Sequence, residues 1–117
     1  MVSISSVLIV EDEPLIAMML EDFLEVLDRQ VAGTADSCET ALSRLEDGGV
    51  DAVILDVNLR AGETSWPVAD KLAESGIPFV LATGGSDDSI ADAHKGRPVL
   101  QKPFTLEAVE AALESLD

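Results

Sequence analysis

The chain has 117 residues, 47% of them apolar, which suits one domain with a core of its own and excludes a disordered tail. Seven basic residues against 23 acidic ones give a net charge of −16, with the basic residues scattered, so duplex nucleic acid and anionic membrane surfaces are excluded as partners. No run approaches the ~20 apolar residues of a membrane span, MVSISS lacks a signal peptide's pattern, and Cys38 is the only cysteine; the expectation is a soluble cytoplasmic domain without disulfides, too short for a second, output domain.

Val7 to Val10 reads as a buried strand that runs into Glu11, Asp12 and Glu13. Pro14 suits a first helical turn, and Ile16, Leu20, Phe23 and Leu27 then recur on one face. Val31 to Ala35 is a shorter strand, after which Ser37 can cap a helix carrying Ala41, Leu42 and Leu45 and ended by Gly48-Gly49. Ala52 to Leu55 is a second buried strand, ending on Asp56. A polar loop, Asn58 to Thr64, leads to a helix with Val68, Ala69 and Leu72, closed by Gly76. Phe79 to Ala82 is a strand ending on Thr83, and Val99 to Gln101 a short one ending on Lys102. Thr105 caps a last helix whose stripe is Leu106, Val109, Leu113 and Leu116.

The stretch GGSDDSIADAHKGRP between the last two strands offers almost no apolar face. A fourth helix there gains little from packing, so residues 85–97 are expected to be weak or mobile, with His94 on the surface. The alternation of strand and helix predicts an α/β fold: a flavodoxin-like, doubly wound, five-stranded parallel sheet of order 2-1-3-4-5.

In such a sheet ligands sit beyond the carboxyl ends of the strands. Those ends carry Glu11 and Asp12, then Asp56, Thr83 and Lys102. Three carboxylates brought close together call for a cation, and oxygen donors at a hydrated edge favour Mg²⁺ over zinc. An Mg²⁺ so held awaits phosphate oxygens, and Asp56 can attack a phosphoryl group to form an acyl phosphate. Lys102 supplies an ammonium and Thr83 a hydroxyl to neutralise the transferring oxygens. Each residue alone has a plainer reading. Glu11 and Asp12 could complement a helix dipole, Asp56 and Thr83 could be turn formers, and Lys102 a solvated cation. The convergence of all five at successive strand ends is what favours the chemical reading.

With VLIVEDEP, VILDVNL, LATGG and QKPF in these positions, the chain resembles the receiver domain of two-component response regulators over essentially its whole length. The resemblance implies phosphorylation of Asp56 by a sensor histidine kinase. It also implies Mg²⁺ held by Asp12, Asp56 and the Asn58 backbone carbonyl, with Glu11 helping through water. Thr83 and Lys102 become the conserved-type hydroxyl and lysine of the family, Pro103 is expected to be cis, and Asn58 and Gly85 would tune hydrolysis of the phosphoryl group. Such a protein catalyses only its own phosphorylation and dephosphorylation and signals by contact with a downstream protein, or serves as a phosphate sink.

Two departures from the family pattern stand out: the proline frequently found after the phosphorylated strand is replaced around Asn58-Leu59-Arg60-Ala61, and the usual aromatic switch is absent. Val99 occupies the position, three before the lysine, where receivers commonly carry a switching Tyr or Phe. IPFVLATGG and GETSWPVAD are instead similar to a group of stand-alone receivers with a PFxFATG(G)Y-like motif, associated with kinases of the HWE type; Leu81 and Ser86 depart from that motif. Trp66, within GETSWPVAD, is either packing near the site loop or part of a partner surface. The alternative function is a pseudo-receiver, an interaction module indifferent to phosphorylation. A phosphohydrolase acting on a separate substrate is a third class, opposed by the lack of a second aspartate in Asp56-Val57-Asn58.

Overall fold

The apolar runs become the strands. In a computed structural model that describes residues 5–59, 62–84, 94, 96–102 and 104–116, β1 spans Ser6–Val10, β2 Gln30–Ala35, β3 Ala52–Asp56, β4 Phe79–Thr83 and β5 Val99–Gln101. They pair in parallel in the order β2-β1-β3-β4-β5. Four helices lie among the described residues: α1 Pro14–Val26, α2 Cys38–Glu46, α3 Trp66–Ser75 and α4 Leu106–Glu114. This is the flavodoxin-like arrangement expected from the alternation of elements.

Side chains alternate across the sheet, so each central strand feeds two cores. Val7, Ile9, Ile54 and Val80 meet Leu20 and Leu24 of α1 and Val109 and Leu113 of α4. Leu8, Val10, Val53, Leu55 and Leu81 meet Ala41 of α2 and Val68 and Leu72 of α3. Every residue of β3 and β4 is buried, as strands covered on both faces must be.

Local signals place the helices. Ser37 and Thr40 form a reciprocal capping box at the start of α2, each hydroxyl accepting from the other residue's backbone N–H. Thr105 accepts from the Ala108 N–H at 3.1 Å and starts α4. Pro14 stands at the first turn of α1, and Gly76 closes α3 with a left-handed φ of 74° that other residues adopt at a cost.

The edge strand β2 carries an irregularity. Its register against β1 shifts between the Val7–Val31 and Leu8–Gly33 pairs, so Ala32 is an extra, unpaired residue. Arg44 of α2 donates from both Nε (3.1 Å) and Nη2 (2.9 Å) to the Ala32 carbonyl and from Nη1 to Gly48 O at 2.8 Å.

Most of residues 85–97, where a weak or mobile helix is expected, lies outside the described residues. His94 is described, and it corrects the expectation of a surface position: it is buried. Its Nε2 lies 2.8 Å from Asp70 Oδ1 of α3, and Arg97 Nε donates to its Nδ1 at 3.1 Å. The imidazole stacks on Trp66 at 5.7 Å and meets the Phe79 ring edge-on, while the Arg97 guanidinium covers Phe79 at 4.2 Å. Trp66 is half-buried against the core that contains Phe79, which favours the packing reading for this residue.

Candidate functional site

Parallel pairing aligns the strand ends, and the chemistry collects beyond them. β1 delivers Glu11 and Asp12, β3 ends on Asp56, β4 on Thr83, and Lys102 follows β5. Backbone bonds continue the ladder past the strands: Glu11 N donates to Ala35 O, Val57 N to Ala82 O and Lys102 N to Thr83 O, each at 2.9 Å. The backbone positions from which Glu11, Asp56 and Lys102 project are therefore fixed by the sheet.

Carboxylate oxygens of Glu11, Asp12 and Asp56 lie within 4.8 Å of one another. Glu11 and Asp56 are buried, whereas Asp12 is half-buried. Lys102 bridges the two buried acids, its Nζ 2.9 Å from Asp56 Oδ2 and 3.0 Å from Glu11 Oε1. The bond to Asp56 has hydrogen-bond geometry; that to Glu11 is an ion pair only, and Glu11 Oε1 is left as a buried acceptor without a donor. Glu11 Oε2 accepts from Glu13 N at 3.0 Å, and Asp56 Oδ1 from Asn58 N at 3.3 Å.

Crowding alters ionisation. Burial, with Asp56 beside it, pushes the Glu11 carboxyl up from 4.5 to about 7 against the pull of the Glu13 N–H and Lys102. Burial pulls the Lys102 ammonium down, but the hydrogen bond to Asp56 and the negative charges of Asp56 and Glu11 outweigh it and leave its pKa raised. One lysine thus faces an acid cluster that it neutralises incompletely. The three-carboxylate set, all oxygen and offset by a single lysine, fits a hard divalent cation. The cluster opens on a cleft of about 310 Å³ lined in part by Pro14, Thr34, Asp36 and Thr40.

The structure brings Glu11, Asp12, Asp56 and Lys102 together as the sequence pattern anticipates. Thr83 is buried at the same edge, one residue beyond the Asp56–Ala82 pair, and Asn58 is exposed with its N–H on Asp56. Pro103 and Gly85 lie outside the described residues. Val99 is 46% exposed on β5, an edge strand.

The described residues of the loop after Asp56 are tied together by backbone contacts. Asn58 and Thr64 form an antiparallel bridge, Leu59 N donates to Glu63 O at 2.7 Å, and Ser65 N donates to Val57 O at 3.0 Å. From outside, Cys38 N at the start of α2 donates to Glu63 Oε1 at 3.0 Å, and Cys38 Sγ donates to Thr64 O at 3.3 Å. Glu63 and Cys38 are absent from the site set read from sequence. The one signal that could have drawn attention to Glu63 is its place in the GETSWPVAD stretch.

Comparison with known proteins gives the family and the fold. Residues 7–114 match the family described as response regulator receiver domain. No curated protein sequence matches. Among solved structures, the solution structure of SdrG from Sphingomonas melonis Fr1 is 64% identical, with a TM-score of 0.89, covering 99% of this chain and 98% of that one. A BeF3-activated conformation of SdrG from Pseudomonas melonis Fr1 is similar, at 64% identity, a TM-score of 0.85 and the same coverage. The PhyR response regulator from Brucella abortus is 28% identical, with a TM-score of 0.80; the match covers 98% of this chain and 49% of that protein.

Proposed function

This chain belongs to the response regulator receiver family, and from that premise we propose that it accepts a phosphoryl group on Asp56 from a sensor histidine kinase, with Mg²⁺ bound at the acid cluster. The observation that carries the reading is Lys102: its ammonium, 46 residues away in sequence, sits 2.9 Å from Asp56 Oδ2 inside a cluster of three carboxylates. Asp12, Asp56 and the Asn58 carbonyl would hold the ion, with Glu11 acting through water. Bound there, the ion lowers the cost of bringing a phosphate's negative oxygens up to acidic side chains.

An Asp56 carboxylate oxygen attacks the phosphorus of the donor's phosphohistidine. The P–O bond forms, the P–N bond breaks, and the imidazole leaves with the electron pair of that bond. Lys102 keeps its proton and moves from carboxylate oxygens to a phosphoryl oxygen, while the Thr83 hydroxyl supplies a second donor. Phosphorylation is thus read out as a rearrangement of Lys102 and Thr83 at the ends of β5 and β4.

The similarity of IPFVLATGG to the PFxFATG(G)Y-like pattern supports assignment to that group of receivers and a kinase of the HWE type. The 64% identity to SdrG, which has a structure described as a BeF3-activated conformation, supports activation of this chain by a phosphoryl group on Asp56. Resemblance to PhyR, whose structure is described as that of a stress response regulator, supports signalling by contact with a downstream protein.

The test is phosphotransfer from candidate kinases, with acetyl phosphate as a small-molecule donor. The wild type should become labelled only with Mg²⁺ present, and Asp56→Asn should remain unlabelled. Labelling of Asp56→Asn equal to wild type rejects Asp56 as acceptor; a wild type that takes no label from any donor is the behaviour of a pseudo-receiver interaction module.

A further inference from the structure

We infer that Glu63 is a positioning residue for the acceptor site: its carboxylate, anchored on the first N–H of α2, clamps the Asn58–Thr64 hairpin so that the backbone at Asn58 is held against Asp56. This rests on the reading of Asp56 as phosphoryl acceptor. It concerns a residue that neither touches the reacting atoms nor belongs to the carboxylate cluster.

The contacts form a continuous path. Cys38 N, one of the helix N–H groups without an intrahelical acceptor, donates to Glu63 Oε1 at 3.0 Å. The backbone oxygen of Glu63 accepts from Leu59 N at 2.7 Å, and the adjacent Thr64 bridges Asn58. Asn58 N then donates to Asp56 Oδ1 at 3.3 Å. A parallel strut, Cys38 Sγ to Thr64 O at 3.3 Å, holds the same hairpin arm to the same helix end. Val57, Leu59 and Ser65 are buried, so the two paired arms are seated on the core, and Glu63 ties them to the start of α2.

A carboxylate suits this task for an electrostatic reason. Its charge makes a charge-assisted bond to the helix N–H and is complemented by the positive end of α2. The charge is therefore held at the start of α2 by the Cys38 N–H. An outer-layer partner of this kind governs metal affinity by fixing a ligand's place, and losing one characteristically weakens binding about 10-fold or more.

The experiment uses the full chain, Glu63→Ala, and Glu63→Gln as the conservative variant that keeps the accepting oxygen. Amide exchange is measured without metal, Mg²⁺ affinity is measured by Trp66 emission, and acetyl phosphate labelling is followed at limiting and saturating Mg²⁺. Glu63→Ala should speed exchange of the Asn58 and Leu59 amides about 10-fold while leaving β1 and β3 unchanged. It should weaken Mg²⁺ binding about 10-fold, and its labelling rate should return to within about 2-fold of wild type once Mg²⁺ saturates. Glu63→Gln should stay within about 2-fold of wild type throughout.

Exchange and affinity unchanged in Glu63→Ala would overturn the inference, as would acceleration spread evenly over the sheet or a labelling rate still depressed at saturating Mg²⁺. If Glu63→Ala fails to fold, Glu63→Met keeps the length, removes the acceptor and is judged by the same outcomes. Failure of the acceptor-site reading is distinguishable: the wild type itself would show neither a saturable Mg²⁺ response nor labelling, and the exchange measurement alone would then judge the clamp.

Discussion

Burial of the Glu11 carboxyl beside Asp56 makes the metal-free protein sensitive to pH in a direction the shift determines. With a folded pKa of about 7 and an ordinary value of 4.5, the folded state holds a proton that the unfolded chain has released. The associated stability is complete below about pH 4.5 and is lost as pH rises through about 7, a loss on the order of 3 kcal/mol. Glu11→Gln should remove that slope and raise the metal-free Tm at pH 8 by at least about 3 °C, measured by circular dichroism with chelator present. The same variant should bind Mg²⁺ more weakly, because the cluster loses a charge. Lys102 depends on pH in the same direction but in a higher window: its raised pKa contributes stability that is complete below its ordinary value of 10.5 and is lost only as pH rises above it. Much of this site was legible in the sequence, because its residues close successive strands and the sheet fixes where strands end. The pairing of Lys102 with Glu11 as well as Asp56 was not, since it depends on which way two long side chains turn in a shared space.

The strands and helices follow from short-range signals: VLIV, AVIL and FVLA read as buried strands, and the Ser37 and Thr105 caps stand where the pattern puts them. His94 escaped that reading because nothing near it in sequence explains its burial. Asp70, Trp66 and Phe79, which enclose it, come from α3 and β4 and meet only after the sheet has formed. The Arg97 to His94 Nδ1 bond makes Nδ1 an acceptor, so Nε2 carries the hydrogen toward Asp70. His94 therefore pins the approach to β5 onto α3. His94→Ala should lower stability by about 2–4 kcal/mol, chiefly through lost packing against Trp66 and Phe79. Urea denaturation reads the loss, and Trp66 emission should shift to the red as its stacked neighbour disappears. An unchanged emission maximum would mean that the stack does not shield the indole.

Over the whole molecule, a net charge of −16 is confined within 34 × 29 × 27 Å. At about 10 mM salt the Debye length, roughly 30 Å, spans the protein, whereas at about 100 mM it is roughly 10 Å. Self-repulsion should therefore fall with added salt, and Tm should rise by several degrees when NaCl is taken from about 10 to about 200 mM; a flat or falling Tm would mean that local ion pairs dominate. The order β2-β1-β3-β4-β5 was legible from alternation alone, but the outer border was not, since the extra residue Ala32 leaves no mark in the residue pattern of β2. That border has a protective consequence. A second copy attempting to extend the sheet past β2 would meet a broken repeat and a guanidinium already seated on the Ala32 oxygen. Crowding thus offers the monomer no ready template for cross-β growth on that side.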